Sequence, residues 1–361
     1  MSRIVPQPGI MEIALYEGGK SVIEGRSDVL KLSSNENPLG PPPSAIAAIA
    51  EAASGAHRYP STDHSALRAC IGEVYGLQPA RIICGVGSDE VLQFICQCFS
   101  GPGDEIIHTE HGFSMYPILA HMAGATPVKV PERERVVDVD AILDAVTPRT
   151  RIVMLTNPGN PTGTILPKGE LERLADGLPR DVILVLDCAY IEYAEGHDGG
   201  EDLARSRANV IMTRTFSKLY GLGGLRIGFG YGAQELIDVL TRVRQPFNLS
   251  VVQLAAAEAA ARDTGWATSC VAMNAEQRAR LTGGLRQLGI ACDDSHANFV
   301  LARFASEGAA DSAEAHLRGQ GILVRQVKSY GFVNGLRITV GRGEDVDRVL
   351  AALTSFQEAA A

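Results

Sequence analysis

The sequence predicts an α/β protein: a large domain with a mostly parallel central sheet flanked by helices, then a smaller α+β domain. Three observations predict it. Short β-rich runs at 81–84, 105–108, 151–155, 182–186 and 210–212 are near-continuously apolar rather than alternating, as strands covered on both faces should be. Helical patterns separate these runs, and each run ends in a polar or glycine-containing segment. Near residue 250 the texture changes to alanine-rich helices, at 251–262 and 273–288, interleaved with short strands at 298–302, 322–325 and 336–340.

The elements follow in order. Residues 1–43 are irregular, with Pro6, Pro8, Gly9, Gly18, Gly19 and the run Pro41 to Pro43, and are expected to form an N-terminal arm that joins the small domain. A helix is expected from Ser44, as N-cap, through Ala53. Residues 44–250 then form the large domain and 251–361 the small one. In a parallel sheet of this kind, ligands bind beyond the carboxyl ends of the strands.

Bulk properties narrow the function. The chain has 361 residues, 45% hydrophobic and 21% charged, an ordinary globular composition. Its net charge is −9, which argues against a broad nucleic-acid surface. No apolar run is long enough to span a bilayer, and the first residues lack the apolar core of a signal peptide, so a cytoplasmic protein with no membrane contact is expected. Seven cysteines without a CxxC pair read as reduced core thiols and give no metal site.

Five segments at predicted strand ends carry polar chemistry. Gly85-Val86-Gly87-Ser88-Asp89-Glu90 opens a helix, where free backbone N–H groups can meet an anion. A nicotinamide turn would need a third glycine, which is missing, and a plain strand-to-helix turn fits equally well. His111-Gly112-Phe113-Ser114-Met115-Tyr116 offers an aromatic that could stack on a ring or, more often, belong to the core. Thr156-Asn157-Pro158-Gly159-Asn160-Pro161-Thr162-Gly163 is either a tight turn or a rigid mount for an Asn160 donor. Asp187 ends an apolar strand, where a carboxylate is costly unless it caps a helix or meets a cation. Lys218, in Thr215-Phe216-Ser217-Lys218, lies among two hydroxyls, the glycines 221, 223 and 224, and Arg226. Hydroxyls, glycine N–H groups and a guanidinium hold phosphate, and an amine beside them points to a Schiff-base lysine with pyridoxal phosphate.

In this order the segments GSDE, NPGNPTG, DCAY, TFSK and GLGGLRIGF resemble the pyridoxal-phosphate aminotransferases of the aspartate-aminotransferase fold (fold type I) over nearly the whole chain. Leu32 to Pro38, His57-Arg58-Tyr59-Pro60 and Leu336 to Gly341 are similar to the histidinol-phosphate aminotransferase group within that class. Gly159 stands where many members have Asn, and Val86 interrupts the GSDE turn.

The resemblance implies catalytic roles for Lys218, Asp187 and Tyr190. Lys218 would join the cofactor, Asp187 would pair with its ring nitrogen, and Asn160 and Tyr190 would bond its phenolic oxygen. Phe113 would lie on the ring. Ser88, Asp89, Thr215, Ser217 and Arg226 would cradle the phosphate. Tyr59 would reach the phosphate of a neighbouring subunit, implying a homodimer with shared sites. Arg337, Arg325, Asn35 and Tyr16 would meet the substrate. The implied reaction exchanges an amino group between a small amino donor and a 2-oxo acid, L-histidinol phosphate with 2-oxoglutarate. An aromatic amino acid aminotransferase, a decarboxylase of a phosphorylated amino acid and a silent binding module on this fold are the alternatives.

Overall fold

The computed structural model describes residues 5–13 and 18–360; Tyr16 lies outside the described residues. The central sheet holds seven strands: β1 (Ile82–Gly85), β2 (Glu105–Thr109), β3 (Thr126–Val130), β4 (Thr150–Thr156), β5 (Ile183–Asp187), β6 (Val210–Thr215) and β7 (Gly228–Gly232). They lie in the order β1-β7-β6-β5-β4-β2-β3. β7 runs antiparallel to both neighbours, and the other pairs are parallel. Every residue of β1, β2, β5 and β6 is buried, which is why these segments read as apolar runs without alternation.

Two strands were not among those expected, each for a physical reason. β3 is an edge strand carrying Pro127 and an exposed Lys129, residues that edges tolerate and central strands do not. β7 is Gly-Phe-Gly-Tyr-Gly, poor in strand propensity. Its glycines answer to close neighbours: a Cβ on Gly228 would lie 2.3 Å from the Ser88 nitrogen, and one on Gly230 would lie 2.8 Å from the Val91 side chain. Helix Gly87–Phe99 can therefore sit directly on β7.

The carboxyl ends of the middle strands are in line. Thr156 of β4 pairs in register with Asp187 of β5, and Asp187 with Thr213 of β6. Residues delivered by these strands thus share one edge.

The second unit contains β8 (Phe299–Arg303), β9 (Arg325–Gln326) and β10 (Gly335–Thr339), antiparallel in the order β8-β10-β9. The expected strand at 322–325 is split. Ile322–Leu323 instead pairs in parallel with Leu30–Lys31, tying the N-terminal arm to this unit. Apolar contacts do not change hands at residue 250. Helix Val251–Arg262 buries Ala256, Ala257 and Ala260 in the core cluster of the central sheet, against helix Pro43–Ala53. The change falls inside the long helix Thr264–Gln287, where Cys270 joins the first cluster and Leu281 and Leu285 join the second. Ser44 is not an N-cap. Helix Pro43–Ala53 starts one residue earlier with proline in its first turn, and the Ser44 hydroxyl donates to Asp263 at 2.8 Å.

Gly228→Ala is expected to lower stability by about 1–3 kcal/mol, because the new methyl group meets backbone that cannot rotate away. Denaturant unfolding of the purified variant checks it.

Candidate active site

Beyond the ends of β4, β5 and β6 lies an open cleft of ≈ 800 Å³, lined by Lys218, Asp187, Tyr190, Asn160, Arg325 and Arg337 among others. Lys218 is carried on a tight loop after β6. Phe216 N–H bonds the Ile227 carbonyl at 2.9 Å, and Leu222 N–H returns to the Phe216 carbonyl at 3.0 Å. Gly221, at φ +63°, packs so closely on Gly40 that a Cβ would lie 2.4 Å from its carbonyl carbon. The loop cannot move far. The Lys218 amine donates weakly to the Ser34 carbonyl at 3.4 Å and lies 5.7 Å from the Tyr190 ring centroid. Burial, with the nearby positive charges of Arg337 and Arg226, brings its pKa down to about 8. A useful fraction of the amine is therefore neutral near physiological pH.

Asp187 is buried at the end of β5. Burial, with repulsion from Asp89, raises its pKa to about 6. Two hydroxyls oppose that shift. Tyr116 donates to Oδ2 and Thr213 to Oδ1, each at 3.1 Å. The Tyr116 proton is committed to Asp187, so Thr156, 2.6 Å from the Tyr116 oxygen, donates to Tyr116. Thr213 was not singled out in the sequence, and Tyr116 was read there only as an aromatic of its segment. Each sits in an apolar run where a hydroxyl carries no distinguishing signal.

Tyr190, Asn160, Asn35 and Arg337 form one network. Arg337 donates to Asn160 Oδ1 at 2.6 Å, which turns the Asn160 Nδ2 toward the Tyr190 hydroxyl at 3.3 Å. Asn35 Nδ2 donates to the same hydroxyl at 3.0 Å. The Tyr190 oxygen thus accepts twice, which leaves its own proton for a third partner in the cleft. Burial pushes this phenol above its ordinary pKa. Asn35 holds a left-handed backbone, φ +55°, which asparagine tolerates, and Thr339 and Asn298 anchor its N–H and carbonyl, both at 3.0 Å. The Asn157–Pro158 and Asn160–Pro161 peptides are cis.

Opposite lies a cradle of donors. Helix Gly87–Phe99 has no side-chain cap on its first N–H groups, and Ser88 lies in its first turn. Arg226 bonds the Ser217 hydroxyl at 3.1 Å and Asp89 at 2.7 Å. Asp89, expected to open the helix toward phosphate, spends its carboxylate on the arginine. The Thr215 hydroxyl accepts from Ser217 N–H at 3.1 Å and shapes the turn. Glu90, not singled out in the sequence, takes the Val86 N–H at 2.7 Å.

Phe113 also lines the cleft, with its ring edge-on to Tyr116 at 5.8 Å. Arg325 of β9 and Arg337 of β10 are register partners on adjacent strands and line the cleft together. Tyr59 is not brought to this cleft. It is 81% exposed and stacks on Phe247, with ring centroids 4.5 Å apart.

A half-buried lysine and a buried carboxylate beyond the ends of a mostly parallel sheet, with a donor cradle and a pair of arginines in the same cleft, define an amino-group-transferring class of enzyme. The chain belongs to the family "Aminotransferase class I and II", whose model matches residues 27–353. It is 62% identical over 353 residues to the histidinol-phosphate aminotransferase of Jannaschia sp., covering 98% of each chain. It is equally similar, at 62% over 361 residues and the full length of both chains, to that of Ruegeria pomeroyi. The structure of histidinol-phosphate aminotransferase from Sinorhizobium meliloti in complex with pyridoxal-5'-phosphate superposes with a TM-score of 0.91 at 28% identity, over 100% of this chain and 99% of that one. Aspartate aminotransferase from Thermus thermophilus with maleate gives 0.79 at 23% identity, over 91% and 92% of the two chains, a likeness of fold. The fold and the enzyme class expected from the sequence are those found.

Because burial raises the Asp187 pKa to about 6, its ionised form costs the cofactor-free protein on the order of 3 kcal/mol. The folded pKa is raised, so this cost is present above pH 6 and fades as pH falls toward 4. Asp187→Asn is therefore expected to stabilise the cofactor-free protein at pH 8, with the gain shrinking at pH 5. Parallel denaturant titrations at the two pH values check the sign.

Proposed function

We propose that this protein is a pyridoxal-phosphate-dependent aminotransferase that converts L-histidinol phosphate and 2-oxoglutarate to imidazole-acetol phosphate and L-glutamate, a step of histidine biosynthesis in the cytoplasm. The observation that carries the reading is the meeting, in one cleft, of Lys218, Asp187 and the register-paired Arg325 and Arg337. The names of the relatives at 62% identity support the same substrate.

The residues present fit the cofactor. Asp187 is a buried carboxylate whose raised pKa a cationic ring nitrogen would bring down. Tyr190 has a proton to give to a phenolic oxygen. Ser88, Ser217, Arg226 and the N-terminus of helix Gly87–Phe99 offer hydroxyls, a guanidinium and backbone N–H groups to a phosphate. That N-terminus can lie directly on β7 because Gly228 has no side chain. When bound, pyridoxal phosphate supplies an aldehyde that takes up the amino group and a cationic ring that accepts electron density.

The chain's own residues supply the rest. Asp187 holds a proton on the ring nitrogen. Tyr190, oriented by Asn35 and Asn160, donates to the phenolic oxygen. Phe113 covers the ring. Lys218 Nζ would take the proton leaving the donor's Cα and give it up at the cofactor's former aldehyde carbon, which a pKa of about 8 allows in both directions. Arg337 and Arg325 together would hold the one anionic group of L-histidinol phosphate, its phosphate. A phosphorylated donor gives the arginine pair a dianion, and this favours histidinol phosphate over phenylalanine or tyrosine.

The working unit in this reading is a homodimer in which Tyr59 reaches the neighbour's cofactor phosphate. The exposed, stacked pair Tyr59 and Phe247 suits such an interface.

Lys218→Ala should cut turnover by at least about 10²-fold. Half-reactions followed by the cofactor's absorbance should run faster with L-histidinol phosphate than with L-phenylalanine, and the reverse order would favour the aromatic reading. Arg325→Gln should raise KM for L-histidinol phosphate by about tenfold, the loss of one charged contact. Uptake of the cofactor by empty protein should accelerate roughly tenfold per pH unit below pH 8 and level off above it, following the neutral Lys218 amine. Stopped-flow absorbance across pH 6–9 checks this.

A further inference from the structure

The hairpin that carries Arg325 and Arg337 is clasped at its tip. Residues 327–334 join β9 to β10, and Tyr330, in this connection, is buried and lines the cleft. Its hydroxyl lies 3.1 Å from Ser114 Oγ, and its carbonyl accepts from His111 Nδ1 at 2.6 Å. The His111 ring packs on Phe332, with centroids 4.1 Å apart. Gly331, at φ +88°, makes room for that ring, since a Cβ there would come within 3.2 Å of it. Lys328 ties the other side of the tip to the second unit through Glu307 and Asp311, both at 2.8 Å.

His111 and Ser114 bracket Phe113 in the sequence, so one four-residue segment both presents Phe113 to the cleft and grips Tyr330. β9 contributes only two residues to its sheet, and strands this short have little stiffness of their own. The reach of the arginines therefore depends on the clasp.

We infer that Tyr330 is a specificity-determining residue whose hydroxyl meets the distal, hydrogen-bonding part of the amino donor, and that His111 and Ser114 are the positioning residues that hold it opposite the cofactor-covering Phe113. The inference rests on the aminotransferase reading above and names the substrate feature selected: a ring or phosphate that accepts a hydrogen bond. A phenol placed this way separates donors that offer it a partner in the cleft from those that leave it Ser114 alone. In this placement L-glutamate, with its shorter side chain, would be of the second kind.

The test is Tyr330→Phe in the full-length, cofactor-loaded enzyme, which keeps the ring and removes only the hydroxyl. KM for L-histidinol phosphate is expected to rise about tenfold, with kcat and the L-glutamate half-reaction changed less than about twofold. Calorimetric binding of L-histidinol phosphate to Lys218→Ala protein, with and without Tyr330→Phe, should show the same loss of about tenfold without turnover. His111→Ala should weaken both donors, because it loosens the whole hairpin. Equal losses for both donors with Tyr330→Phe, or an unchanged affinity, would overturn the inference while leaving the reaction assignment intact. Failure of the unaltered enzyme to use L-histidinol phosphate would overturn the assignment, and the inference with it.

Discussion

Burying the Asp187 carboxylate at the end of an apolar strand is unfavourable, and the architecture around it is arranged to make that position tenable. Tyr116 and Thr213 each give it a proton, and Thr156 in turn gives one to Tyr116. These donors come from three different elements. They converge only because β4, β5 and β6 end in register. The remaining strain in its pKa is a reservoir that a cationic partner can draw on. An apolar residue here would be more stable and would leave a ring nitrogen with nothing to hold its proton.

Opposing electrostatic shifts run through the same cleft. Burial raises the Asp187 pKa and lowers that of Lys218, so both move toward neutrality near physiological pH. Arg337 contributes twice. It disfavours charge on Lys218, and it fixes the orientation of the Asn160 amide that aims at Tyr190. One arginine thereby links substrate recognition to the state of the catalytic groups. Its position comes from β10 and from the N-terminal arm, whose Ser33 carbonyl accepts from it at 3.2 Å.

The N-terminal arm ties the two units together mechanically. Leu30–Lys31 extends the second unit by pairing with Ile322–Leu323, and Asn35, a few residues later, bonds the Tyr190 hydroxyl. Asn37 then donates to the Leu219 carbonyl, next to Lys218, and to Cys270 of the long helix. This stretch is thus a seam between the central-sheet unit and the second unit, running along the cleft.

Much of this was readable in the residues. Lys218, Asp187, Asn160 and Tyr190 each follow an apolar run that could only be a covered strand, so the rule that parallel strands present their carboxyl ends to ligand places them together. The alanine-rich helix 251–262 was equally plain. What the sequence could not supply depends on contacts between distant segments. β7 reads as a glycine-rich turn because its glycines answer to the helix lying on it, not to strand propensity. Tyr116 and Thr213 look like core residues until β5 brings Asp187 beside them. Tyr330 looks like a loop residue until the hairpin folds over Ser114 and His111. Local chemistry is written in the order of residues, whereas the partner that satisfies a buried polar group is chosen by packing, and packing exists only in the assembled fold.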